Sequence, residues 1–163
     1  MSIDNYLSVI ALVEQVHRRY LEVIKREIDS FGTQDINNVQ ALMLYNVGDA
    51  EMTVGELTLR GCYLGSNVSY NVKKMVENGY LAAERSTHDQ RSIRVKLTDK
   101  GVKLRDRLSD MHRRHIEMFP QSTITETDLQ HCMAMLGRLE RFWTEASNPF
   151  GSRAQALPRA AGV

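Results

Sequence analysis

Hydrogen-bonding side chains crowd the start of one predicted helix, within the segment GSNVSYNVKKMVENGYL at residues 65–81. Hydroxyl and amide groups in this position can bond base edges in a DNA groove, and lysines after them can bond phosphates. The candidate contacts are Ser66, Asn67, Ser69, Tyr70, Asn71, Lys73 and Lys74. Val68, Val72 and Met75 recur at helical spacing, which predicts that the opposite face is buried. The alternative interpretation is an exposed amphipathic helix with an ordinary polar side.

A β-hairpin is predicted directly after this helix. YLAAERS and SIRVKLT are short strand candidates, and the polar loop THDQR lies between them. In the second strand, apolar residues alternate with Arg94 and Lys96, so the two basic side chains share one face. These cations would extend the phosphate contacts of the preceding helix.

The distribution of charge supports an anionic partner better than its sum does. The 163 residues carry a net charge of +1, but residues 1–59 carry −5, residues 60–105 carry +6 and residues 106–163 carry 0. A basic block of this kind is often only a solvated face, so the charge alone does not decide the function. Neither a signal peptide nor an apolar run of membrane-spanning length is evident, and we expect a cytoplasmic protein.

Helices are predicted to position these residues. An apolar stripe at helical spacing extends from about Asp4 to Phe31, and Gly32 ends it. A second helix is predicted from a cap at Asp35 to Gly48. The stripe of the first helix is broader than a small neighbouring domain can cover.

Capping signals define the remaining helices. Thr53 and Glu56 have the spacing of a capping box at the start of a short helix. Thr98 is predicted to cap a helix that Pro120 ends, and Thr125 to cap the last one. The order of elements predicts a mainly α fold with a small β-hairpin wing, which is a winged helix-turn-helix between long outer helices.

The segment DQRSIRVKLTDKG, residues 89–101, resembles the wing signature of the MarR family of transcriptional regulators. The likeness covers residues 5–146 and is strongest over residues 53–101. It implies that Arg91 enters the DNA minor groove and that Asp89 braces it. Leu64 stands where the family commonly has a serine, and the start of the helix at 65–81 departs from the usual Thr and Arg pattern. A weaker likeness is to an alphaproteobacterial regulator of an L,D-transpeptidase gene.

The resemblance also implies an organisation and partners. We expect an N-terminal dimerisation helix over residues 1–32, a winged helix-turn-helix over 33–98, C-terminal dimerisation helices over 99–147 and a disordered tail over 148–163. The implied function is regulation of transcription by a homodimer that binds a pseudo-palindromic site in double-stranded DNA. A winged-helix module that binds protein instead of DNA is the alternative, and the basic block disfavours it.

Three kinds of input are open for such a regulator. The family pocket suggests a small aromatic or phenolic ligand near His17, Tyr20, Met43 and Tyr45. Cys62, near Arg60, could sense oxidants. His112 and His115 could hold a metal, but two histidines need further ligands. We expect no resident cofactor, and the sequence shows no catalytic motif that would indicate an enzyme.

Overall fold

A computed structural model of the chain describes residues 2–61, 65–85 and 92–147. In these ranges there are six α-helices: α1 (Ile3–Ser30), α2 (Asn38–Val47), α3 (Val54–Arg60), α4 (Gly65–Glu77), α5 (Asp99–Met118) and α6 (Glu126–Ser147). The strands are β1 (Met52–Thr53), β2 (Leu81–Arg85) and β3 (Ile93–Leu97), and a 3-10 turn spans Phe119–Gln121. The predicted mainly α fold with a small β wing is confirmed. The tail from residue 148 onward lies outside the described residues.

Local capping explains where most of these helices begin. The Thr53 hydroxyl accepts from the Glu56 N–H, and the Glu56 carboxylate accepts from the Thr53 N–H, as the capping box predicts. Asp128 and Thr125 bond each other in the same way before α6. The predicted cap at Asp35 is wrong, because Asn37 caps α2. Asp35 instead accepts hydrogen bonds from Tyr80 at one carboxylate oxygen and from Lys100 at the other.

The wing is a three-stranded antiparallel sheet in the order β1-β3-β2. Strand β2 pairs with β3 from Leu81 opposite Leu97 to Arg85 opposite Ile93. The two-residue strand β1 adds to the other edge of β3, with Met52 opposite Val95. The sequence predicts the β2–β3 hairpin but not β1, which is too short to show an alternating pattern.

The chain divides into two compact units, residues 1–114 and 115–163. The first unit has one apolar core, to which α2, α3, α4, the sheet and parts of α1 and α5 contribute. Ile24 and Ile28 are the buried residues of α1, and Leu104, Leu108 and Met111 carry the core along α5. The second half of α1 therefore belongs to the same core as the helix-turn-helix.

The end of α4 is tightly joined to the start of α5. Gly79 adopts a φ of +76°, and the Tyr80 N–H donates to the Met75 carbonyl at 2.8 Å, which closes the helix with a left-handed cap. The Thr98 hydroxyl lies 2.6 Å from the Gly79 carbonyl oxygen and accepts from the Gly101 N–H. Gly101 is buried, and a Cβ there would overlap the Tyr80 carbonyl oxygen. Only glycine allows this approach.

Candidate nucleic-acid interface

The outward face of α4 presents polar side chains to solvent. Val68, Val72 and Met75 are at most 5% exposed and fix the opposite face in the core. Because side chains on one helix face recur every three or four residues, the remaining positions point outward. Exposed residues on that side are Ser66, Asn67, Ser69, Tyr70 and Lys73. Tyr70 is 63% exposed, so its ring and its hydroxyl are accessible to a partner surface.

Asn71 differs from these neighbours because both of its polar atoms bond within the chain. Its Nδ2 donates to the Asn67 carbonyl at 2.8 Å, and its Oδ1 accepts from Gln40 Nε2 at 3.1 Å. Gln40 lies on α2 and is itself buried. Asn71 therefore braces α4 against α2, a role that the sequence did not indicate.

The two lysines of α4 share one carboxylate. Lys74 Nζ donates to Glu77 Oε2 at 2.8 Å, and Lys73 Nζ lies 3.9 Å from Glu77 Oε1. The hydrogen bond from Lys74 lowers the pKa of Glu77, and the same bond raises the pKa of Lys74. Both groups are therefore charged at neutral pH.

The basic residues of the wing strand are paired as well. Arg94 Nε lies 3.3 Å from Glu51 Oε2, and Lys96 Nζ lies 3.6 Å from Glu84 Oε1. Among the described cations that we predict to contact DNA, each one thus has a carboxylate within 4 Å. Asp89 and Arg91, the predicted minor-groove pair, lie outside the described residues, as does Cys62.

A polar cluster joins α1, α2 and α5 within the first unit. The Tyr20 hydroxyl lies 2.7 Å from His112 Nε2, and the Tyr45 ring meets the imidazole edge-on at 5.0 Å between centroids. Burial, and next the neighbouring Tyr45, raises the pKa of Tyr20. His112 falls four residues after Leu108, on the buried face of α5, and this spacing is the signal that places it here.

The four residues predicted to bind an effector therefore do not share one environment. Tyr20 and Tyr45 both touch His112, whereas Met43 is a core residue at 1% exposure and His17 is exposed on α1. Within the described ranges no group of three or more His, Cys, Asp or Glu side chains could hold a metal ion. His112 and His115 thus have no third ligand from that part of the chain.

A cavity of about 780 Å³ opens between α4, the start of α3 and the wing strands. Its walls are mainly apolar, and its lining includes Val54, Ser69, Val72, Lys73, Val76 and Ile93. This volume lies in the range of small-molecule sites. Two of the lining residues, Ser69 and Lys73, are also candidate DNA contacts. The sequence did not predict a cavity at this place.

None of the helices in the described ranges combines the length and apolar character needed to cross a bilayer.

Comparison with known proteins identifies the family. Residues 36–101 match the family model described as a winged helix DNA-binding domain. The exopolysaccharide II synthesis transcriptional activator ExpG of Rhizobium meliloti (strain 1021) is 32% identical over 146 residues, which cover 90% of this chain and 75% of that protein. MarR of Staphylococcus aureus, solved in complex with salicylate and kanamycin, superposes with a TM-score of 0.69 at 17% identity and covers 88% of this chain and 95% of its own. The chain belongs to the MarR family of winged-helix transcriptional regulators.

The MarR-family fold extends over the outer helices and not only over the winged domain. FabT of Streptococcus pneumoniae, solved in complex with DNA, has a TM-score of 0.65 at 18% identity. The match covers 86% of this chain and 99% of the FabT chain. FabT therefore shares the fold of this chain.

Proposed function

We propose that this MarR-family regulator binds a pseudo-palindromic site in double-stranded DNA as a homodimer and that a small aromatic or phenolic ligand modulates the binding. The observation that carries the proposal is the outward face of α4. Polar side chains with Tyr70 at their centre are exposed there, while the opposite face is fixed in the core. A rigid helix with such a face fits the major groove, where N-terminal residues of the helix contact bases.

The contacts divide by chemistry. Ser66, Asn67, Ser69 and Tyr70 would meet base edges, since hydroxyl and amide groups match the groove pattern. Lys73, Lys74, Arg94 and Lys96 would meet phosphates. Arg91 would enter the minor groove with Asp89 beside it, where narrow grooves attract a lone arginine. Asn71 would act indirectly, through its bonds to Gln40 and the Asn67 carbonyl.

Exposed apolar faces on the outer helices support the dimer. Large apolar residues of α1 are at least 39% exposed at Ile3, Leu7, Val9, Leu12 and Val16. In α6, Met133, Met135, Leu136 and Phe142 are at least 44% exposed, and the helix has no buried residue. So many exposed apolar residues on two helices indicate that another surface covers them. A two-fold axis between the copies would set the two α4 helices about 34 Å apart, one turn of DNA.

The cavity beside α4 supports an effector. An occupant would touch Ser69 and Lys73 and would therefore lie next to the proposed DNA contacts. The salicylate in the Staphylococcus aureus structure belongs to that protein, and it shows that the fold can accommodate an aromatic anion.

The first experiment is selection of bound fragments from a random duplex library with the full chain, followed by fluorescence anisotropy on the selected duplex. We expect Tyr70→Ala to weaken binding about 10-fold or more, on the scale of one lost base contact, with unchanged thermal stability. Asn71→Ala should instead lower the free energy of unfolding by about 1 kcal/mol, because it removes a brace between helices.

Tyr70→Ala tests a direct contact with DNA, and Asn71→Ala tests a structural role. Failure of the wild-type chain to enrich any duplex would refute DNA binding. If Tyr70→Ala binds the selected duplex with wild-type affinity, the placement of α4 in the major groove is wrong. Arg91→Ala completes the series, and we expect it to weaken binding on every enriched duplex while the dimer mass stays the same.

A further inference from the structure

Glu77 is the last residue of α4 and the one acidic side chain in that helix. Its side chain is 43% exposed, and it lies one turn beyond Lys73 and Lys74 on the solvent side. A carboxylate on a helix that enters a DNA groove repels phosphates, so its presence there needs a physical reason.

The geometry shows what this carboxylate does in the free protein. One oxygen accepts from Lys74 at 2.8 Å, and the other lies 3.9 Å from Lys73. Two positive charges and one negative charge thus form one cluster. An ammonium has three N–H donors, so Lys74 can bond Glu77 and a phosphate together, but the carboxylate lowers the net charge of the cluster from +2 to +1 and weakens its attraction to a phosphate.

Non-specific (loose) and sequence-specific (seated) complexes with DNA differ in how strongly their phosphates compete with Glu77 for these lysines. Non-specific complexes depend almost wholly on phosphate contacts, which are distributed along any duplex. A seated complex adds base contacts that fix α4 and hold a phosphate beside each lysine. Because exposed ion pairs are weak, a phosphate that is held in place can displace the carboxylate, whereas a distant one cannot.

We propose that Glu77 is a specificity-determining residue, which weakens the contacts of Lys73 and Lys74 with phosphates until base contacts seat α4 in the groove. This inference rests on the proposed function. It predicts that random DNA is bound with few released counterions and that the selected duplex is bound with more.

Carboxylates also pair with basic residues on the wing sheet, which gives an internal comparison. Glu51 pairs with Arg94 and Glu84 pairs with Lys96, but each of these carboxylates faces one cation on the sheet. Glu77 engages two cations on the helix that would read the bases. We therefore expect the strongest effect at position 77.

The test compares Glu77→Gln with the wild-type chain on the selected duplex and on a scrambled duplex of the same length and composition. Affinity is measured by anisotropy from 50 to 300 mM KCl. Glu77→Gln should bind scrambled DNA about three- to tenfold tighter, with a salt slope steeper by about one to two units, since up to two more phosphates are engaged. Affinity for the selected duplex should rise by less, so the specificity ratio falls.

Two further variants separate this role from a change of net charge. Glu77→Asp keeps the charge and should retain the wild-type ratio. Glu22→Gln removes a carboxylate that pairs with Arg19 on α1, and it should change neither slope.

Each other outcome has a definite meaning. Equal gains on both duplexes, or an equal gain in Glu22→Gln, would overturn the role of Glu77. Weaker binding of the selected duplex by Glu77→Gln would also overturn it and would make Glu77 a direct base contact. If the wild-type chain does not distinguish the two duplexes, it is the proposed function that fails.

Discussion

Helices α4 and α6 carry apolar stripes of the same kind and have opposite surroundings. In α4, Val68, Val72 and Met75 are at most 5% exposed, because α2, α3 and the sheet cover them. In α6, Met133 and Phe142 are 66% and 55% exposed. The comparison teaches that periodicity identifies a face that must be covered but does not identify what covers it.

The same contrast occurs within α1. Its second half places Ile24 and Ile28 in the core at 0% exposure, whereas Leu12 and Val16 in its first half are 58% and 59% exposed. A straight helix of 28 residues is about 42 Å long and extends beyond a small core. The proposed second copy would cover the part that the chain leaves exposed.

The largest expected effect concerns that exposed part. Leu12→Glu combined with Val16→Glu should raise the dimer dissociation constant at least about 100-fold, because each copy would bury two unpaired charges. Sedimentation equilibrium at micromolar concentration measures this. Leu59→Glu is the control, because Leu59 is 80% exposed on α3, outside the outer helices. A double variant that keeps the wild-type mass would exclude the first half of α1 from the interface.

The second prediction compares two helical glycines, one in each unit. Gly101→Ala should lower the free energy of unfolding by about 3 kcal/mol, since the new Cβ overlaps the Tyr80 carbonyl oxygen. Gly137→Ala on α6 should raise the free energy of unfolding by about 0.5–1 kcal/mol, because among the described residues its Cβ meets only the Arg141 side chain at 3.7 Å. Urea titration at one fixed protein concentration measures both. Similar shifts of the same sign would contradict the close approach of α4 and α5.

The smallest effect concerns the pH dependence of the winged core. Burial acts to raise the pKa of Asp35, but the hydrogen bonds from Lys100 and Tyr80 outweigh it, and the pKa lies below its ordinary value. The folded state therefore releases this proton more readily than the unfolded state, so its stabilising contribution is present above pH 4 and is lost as pH falls further. Because the site is half exposed, we expect less than about 1 kcal/mol.

Asp35→Asn tests that assignment. The variant should lose less stability than the wild-type chain between pH 5 and pH 2.5, as measured by urea titration. Tyr80→Phe removes one of the two donors, and its loss of stability over this pH range should lie between those of Asp35→Asn and the wild-type chain. Parallel pH profiles in all three chains would show that Asp35 is not the group responsible.

Local signals in the sequence predict much of this fold. Thr53 and Thr125 mark helix starts correctly because a cap depends on the few residues beside it. The predicted cap at Asp35 is wrong, because its carboxylate bonds Tyr80 and Lys100, which are distant in sequence, and Asn37 caps the helix. Tertiary partners of this kind have no local pattern.

The candidate site shows the same division between local and distant contacts. Residue type and spacing predict the exposed polar face of α4, with Tyr70 at its centre. They do not predict that Asn71 bonds Gln40, which lies 31 positions earlier. They also do not predict that His112 bonds Tyr20, which lies 92 positions earlier. Such pairs are known only once the helices are packed.

The join between α4 and α5 has a mechanical consequence. A glycine contact and the Thr98 hydroxyl leave no slack between the Tyr80 carbonyl and the first turn of α5. A movement of the first turn of α5 would therefore also move the turn that ends α4. In the proposed complex, the orientation of α4 on a duplex would then depend on the start of α5.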